Sequence, residues 1–153
     1  MRTFVEDITI AIEQYDSDII CWEFDIVDVN GKNIRNYSDI YKPVPCKMTN
    51  KEVLENIIIH KNMWIWTGSA VYKREFLLYH NLLYTIDCIN GEDQEFILKA
   101  VVNSNNIVFI NKVLSFYVQR KTSITNSYNI RKFDVINALK ELTITLIMFQ
   151  KLI

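Results

Sequence analysis

Two adjacent carboxylates, Glu92 and Asp93, stand directly behind Gly91 and open a run with helical spacing through Phe96, Ile97, Ala100 and Val101. Glycine turns a chain sharply at no Cβ cost, and the amide dipoles of a first helical turn keep a carboxylate ionised. A rigidly held, ionised carboxylate can take the proton from a hydroxyl as that hydroxyl attacks. The same pair can do no more than satisfy first-turn amides, as acidic residues do at many helix starts. Upstream, Trp64 and Trp66 alternate about Ile65, so an extended segment points both indoles to one side, beside Gly68 and Ser69. Paired indoles form an apolar platform for the C–H face of a sugar ring; the competing reading buries both in the core. The chain has only three glycines, and Gly68 and Gly91 both fall in this region.

Other candidate groups are weaker. Asp16-Ser17-Asp18 has the spacing of a metal-binding Asp-x-Asp pair, but it follows a helical run and precedes a strand-like one, so a solvated turn is expected there. Lys73 and Arg74 could reach phosphate or simply begin a solvated helix. Cys21, Cys46 and Cys88 form an odd set without metal-ligand spacing, and His60 and His80 stand apart, so no metal site is expected. Glu23, Asp25 and Asp28 fit the alternation of a half-exposed strand.

The segment Gly91-Glu-Asp-Gln-Glu-Phe-Ile-Leu-Lys99, followed by Ile107-Val-Phe-Ile110, Val113-Leu-Ser-Phe-Tyr-Val-Gln-Arg120 and Ser123-Ile-Thr125, resembles the later half of family 2 glycosyltransferases. The resemblance covers roughly residues 1–127 and is carried best by 64–125. It implies the GT-A fold and an inverting transfer of sugar from a nucleotide diphosphate donor to an acceptor hydroxyl. By position it makes Asp93 the catalytic base, with Glu92 its neighbour shaping acceptor contacts. It places Trp64, Trp66, Gly68 and Ser69 at the acceptor, and Arg120 and Ser123 near donor phosphate. In the full-length family a divalent cation, Mg or Mn, stabilises the departing diphosphate. The nucleotide- and metal-binding half of that fold, with its Asp-x-Asp at the end of a buried strand, has no counterpart in this sequence. A part that is inactive alone is therefore expected, with the donor bound only alongside the missing half. A non-catalytic glycan- or protein-binding module on the same fold remains the alternative.

The elements that must position these groups are legible in part. Residues 3–14 read as an amphipathic helix, with Phe4, Ile8, Ala11 and Ile12 on one face. The β-branched and aromatic run 19–29, ended by Asn30-Gly31, predicts a hairpin with a type I′ turn. Thr49-Asn50 caps a helix carrying Val53, Leu54, Ile57 and Ile58. Residues 70–72 predict a strand and 74–79 a short helix. Ile107–Ile110 and Val113–Val118 predict two strands joined by a turn at Asn111-Lys112, and 127–153 a long helix. The expected class is α/β: a mixed sheet with hairpins and flanking helices. Residues 1–127 form the acceptor-side part, and the helix 128–153 packs on it or on a partner, a second copy or a membrane surface.

At 153 residues, half of them apolar and with a net charge of −1, the chain suits one folded domain and no nucleic-acid partner. It lacks a signal-peptide core and an apolar stretch long enough to span a bilayer. A reducing, cytosolic setting is expected, at the inner face of the membrane if the last helix lies on lipid.

Overall fold

A computed structural model describes residues 3–120 and 130–150. Helix α1 (Phe4–Gln14) starts at a reciprocal cap, in which the Thr3 side chain accepts from Glu6 N and the Glu6 carboxylate accepts from Thr3 N. Strand β1 (Ile19–Val27) follows and is the spine of the sheet. Along one edge it pairs in parallel with β5 (Ile107–Val118), from Ile19 opposite Ile107 to Val27 opposite Val118. Along its other edge it pairs antiparallel with two short strands, β2 (Asn33–Arg35) at one end and β4 (Ala70–Tyr72) at the other. Strand β3 (Lys47–Met48) runs antiparallel to the start of β5, completing a mixed five-stranded sheet.

Alternate residues of β1 leave the sheet on opposite faces, and both faces are covered. On one, Ile20 and Trp22 pack with Val108 under Ile8 and Ala11 of α1. An ion pair from Lys112 of β5 to Asp7 ties that helix down. On the other, Ile19, Cys21, Phe24, Ile107 and Phe109 meet Val53 of α2 (Asn50–Leu54) and Phe96, Ile97, Ala100 and Val101 of α4 (Glu92–Asn103). Between β4 and α4 lie the short helix α3 (Arg74–Tyr79) and a loop over residues 80–91. A 3-10 turn, Ile130–Phe133, leads into α5 (Asp134–Gln150), which packs on α4 and buries Ala138 and Leu142.

Three expectations are corrected. The hairpin forms, but only Gly31 of the Asn30-Gly31 pair has positive φ, at +79°. Gly31 N donates to Asp28 O at 3.0 Å and the Asp28 carboxylate caps Asn30 N and Lys32 N, so the Asp28 side chain selects a type I turn with a glycine bulge. Residues 107–118 are one strand, not two, because Asn111 and Lys112 are absorbed as a bulge opposite Trp22 and Glu23. The Asn111 amide earns its place there by bonding Val44 twice, accepting from its N at 3.0 Å and donating to its O at 2.8 Å. Finally, β1 is no half-exposed strand: Ile19 to Trp22 are all buried. Glu23 is half-buried, and desolvation first, then the Asp25 charge, raises its pKa above the usual carboxylate range.

Two glycines with positive φ differ in surroundings. A Cβ on Gly31 would meet nothing within 4 Å, whereas one on Gly91 (φ +95°) would stand 2.7 Å from Val135 Cγ2 and 2.8 Å from Val135 Cα. Gly31→Ala therefore costs about 1 kcal/mol for backbone strain alone, and Gly91→Ala about 3 kcal/mol once overpacking against α5 is added. Urea denaturation of the two variants checks this, and equal losses would contradict the packing of α5 on the Gly91 turn.

Candidate active site at the start of α4

Gly91 is the left-handed residue before α4, and its bare Cα lets Val135 press on the turn. The loop leading to it is fastened from two sides. From α5, Asp134 Oδ2 accepts from Ile89 N at 3.2 Å and from Arg131 Nε at 3.3 Å, while Arg131 Nη2 donates to Asp87 O. From α4, the fully buried Glu95 carboxylate accepts from the Thr85 hydroxyl at 2.7 Å and pairs with Lys99. Glu92 and Asp93, both half-buried, are held between these anchors.

Two phenols feel the charge of Asp93. Burial foremost, then the charges of Cys21, Tyr84 and Asp93, pushes the Tyr72 pKa up. Tyr84 is raised by burial first and by Asp93 next, with Glu92 adding in the same sense and the neighbouring Thr67 hydroxyl acting against them. Phe96, one helical turn beyond Asp93, holds both rings: Tyr84 stacks on it at 4.3 Å between centroids and Tyr72 meets it edge-on at 5.3 Å. The Thr67 hydroxyl meets the Tyr84 phenol, whereas the Tyr72 hydroxyl is buried with no hydrogen-bond partner among the described residues. Such a group costs about 1–3 kcal/mol, which a bound hydroxyl would relieve. The result is a half-buried carboxylate whose charge reaches two phenols, one of them with an unpartnered hydroxyl.

The indoles lie on different supports. Trp64 lines a small cavity together with Gln94, Ile97 and Leu98 of α4, with its backbone clasped by the Tyr37 hydroxyl, which accepts from Trp64 N and donates to Trp64 O, both at 2.9 Å. Trp66 sits between Phe24 (5.4 Å) and Tyr117 (5.2 Å) at the far ends of β1 and β5. Gly68 lies under the Trp66 ring, where a Cβ would approach it to 2.4 Å. Ser69 is corrected as an acceptor contact: it is fully buried, and its hydroxyl accepts from Trp66 N and donates to Trp66 O, both at 2.9 Å. Its work is to fold the Trp66 turn. Both indoles are half-buried, neither sealed in the core nor standing free.

The remaining candidates disperse. Asp16 is exposed and pairs with Lys73 at 3.1 Å, and Asp18 Oδ2 accepts from Asn105 N at 2.9 Å, so this pair joins loops and does not converge on a cation. Arg120 ends β5 in an exposed position, and Ser123 lies outside the described residues. Among the described residues no three His, Cys, Asp or Glu side chains are grouped to hold a metal. Nor is any described helix long and apolar enough to cross a membrane. Sequence reasoning missed Tyr72 and Tyr84. Tyr72 read as one more strand residue and Tyr84 as part of an apolar connection, and nothing in their spacing ties them to Asp93.

This mixed α/β arrangement is the fold of a glycosyltransferase domain. It matches TarS 1–349 of S. aureus in complex with UDP-GlcNAc at a TM-score of 0.67, with 19% identity over 92% of this chain and 38% of that one. The complex of the same protein with UDP gives 0.62 at 18% identity, covering 92% and 36%. TarS 1–349 alone gives 0.61 at 18%, covering 92% and 35%. The chain thus spans well under half the length of these structures. No protein-family model matches it, and no curated protein does.

Since a nearby negative charge disfavours phenolate, Asp93→Asn should lower the Tyr84 pKa. Phenolate absorbance across an alkaline titration reads the shift, with Tyr84→Phe assigning the signal. An unmoved Tyr84 would place the carboxylate elsewhere. Glu95→Ala, which strips Lys99 and Thr85 of their buried partner, should cost about 3 kcal/mol in urea denaturation.

Proposed function

We propose that this chain is the acceptor-side part of an inverting, family 2-like glycosyltransferase of the GT-A fold, with Asp93 as the general base. The observation that carries this reading is the placement of Asp93: half-buried, at a glycine turn before α4, beside Tyr72 and Tyr84. The glycosyltransferase fold, shared over 92% of the chain with a protein that binds UDP-GlcNAc, supports it.

On this reading the acceptor sugar lies between Tyr84 and the indole edge of Trp66, with its attacking hydroxyl toward Asp93. As the oxygen closes on the anomeric carbon its proton passes to the carboxylate, and the bond to the nucleoside diphosphate breaks on the opposite face, inverting the centre. The apolar rings exclude water that would otherwise compete for the donor. Glu92 shapes the rim. Arg120 and Ser123 are assigned to donor phosphate on resemblance alone. The described residues supply base and acceptor wall, and stabilisation of the leaving diphosphate has to come from the donor-binding part. Base catalysis without it gives little differential stabilisation of the transition state, so the chain by itself is expected to be inactive.

In a preparation that transfers sugar, Asp93→Asn should lower turnover about 10³-fold and leave acceptor binding within about twofold. Transfer undiminished by that substitution would end the assignment. Glycan binding that survives it, in a protein that never transfers, would instead select the non-catalytic module.

A further inference from the structure

Alternation along β4 divides its side chains between the two faces of the sheet. Val71 packs on the α1 side, and Tyr72, opposite Ile19 of β1, turns the other way, where its ring meets Phe96 edge-on at 5.3 Å. Phe96 lies three residues after Asp93, and positions three apart share a helix face. Tyr72 is thereby brought to the face of α4 that carries the carboxylate. A phenol both donates and accepts, yet the Tyr72 hydroxyl is buried without a partner among the described residues. Its neighbours are engaged: the Tyr84 phenol meets the Thr67 hydroxyl, and Glu95 is closed against Thr85 and Lys99. Of the three hydroxyls here, Tyr72 alone has its bonding capacity unused.

Tyr84 is the outermost ring of this group, 44% exposed and resting on Phe96 at 4.3 Å, so it lies over the deeper phenol. We propose that Tyr72 selects the acceptor: its hydroxyl binds the sugar hydroxyl next to the one that attacks, and Tyr84 turns aside to admit the ring and then lies against it. The inference rests on the proposed transferase function and deepens it by naming the substrate class, a ring that presents two neighbouring hydroxyls. One of them faces Asp93 and the other is held by Tyr72. A site built to bond a hydroxyl rejects the analogue that lacks it, because the buried partner is then left unpaired.

Tyr72→Phe removes the oxygen alone and tests this in three ways. In the chain by itself an unused hydroxyl predicts a Tm equal to the parent's or higher, and a fall above about 4 °C means that the group already has a partner within the fold, which overturns the proposal. The probes for binding are trans-1,2-cyclohexanediol and cyclohexanol, titrated against the tyrosine ring signals in NMR. The parent should bind the diol at least about fivefold more tightly, and the variant should bind both within about twofold of each other. Equal binding in the parent, including none of either, overturns it. In a preparation that transfers sugar, Tyr72→Phe should raise the acceptor KM about tenfold with kcat unchanged, the opposite of the split expected for Asp93→Asn. A loss confined to kcat would overturn the selecting role. If transfer survives Asp93→Asn while diol binding still depends on Tyr72, the selecting role stands and only the assignment of the base is lost.

Discussion

Parallel pairing between β1 and β5 is the constraint from which the rest follows. Two parallel neighbours cannot be joined by a tight turn, so everything between Val27 and Ile107 must travel around the sheet. Their apolar faces must also be covered on both sides, and α1 does this on one while α2 and α4 do it on the other. The returning chain has one helix with which to re-enter the sheet, α4, and the turn that starts this helix carries Glu92 and Asp93. The carboxylates sit where they do because the crossover has to end there. The loops at the other end are locked by Asp18, which takes the Asn105 amide just as β5 begins.

The electrostatics of the site come from packing. Phe96 serves the core with one side and the two tyrosines with the other, so the helical face that buries α4 also sets the phenols around Asp93. Burial raises both phenols, which keeps them neutral hydrogen-bonding groups across the whole physiological range. Glu95, two residues beyond Asp93, is buried and neutralised by Lys99, and so is spent on structure. The two acidic side chains differ in that Glu95 is closed against the loop while Asp93 is half-buried.

How far the sequence discloses this depends on the range of the interaction concerned. Local chemistry reads out directly: the Thr49 cap, the short helix from Arg74 and the glycine turn before α4 are all decided within about four residues. The errors arise where a distant partner decides. Asn111-Lys112 has the composition of a turn, yet Val44, far away in sequence, binds the Asn111 side chain and keeps the strand continuous. Asn30-Gly31 favours a type I′ turn until the Asp28 carboxylate takes the Asn30 and Lys32 amides. Ser69 looks available beside a flexible glycine, but Trp66 folds over that glycine and consumes the hydroxyl. Tyr72 and Tyr84 converge on Phe96, where both feel the Asp93 charge, and no pattern along the chain encodes that convergence.

The account stands on the position of one carboxylate relative to a sugar, so the most direct measurement is a crystal structure of the chain soaked with acceptor oligosaccharide. It predicts a sugar ring against Tyr84 and Trp66 with one hydroxyl about 2.6–3.2 Å from an Asp93 carboxylate oxygen. A sugar bound elsewhere, with Asp93 open to water and touching no hydroxyl, would contradict it.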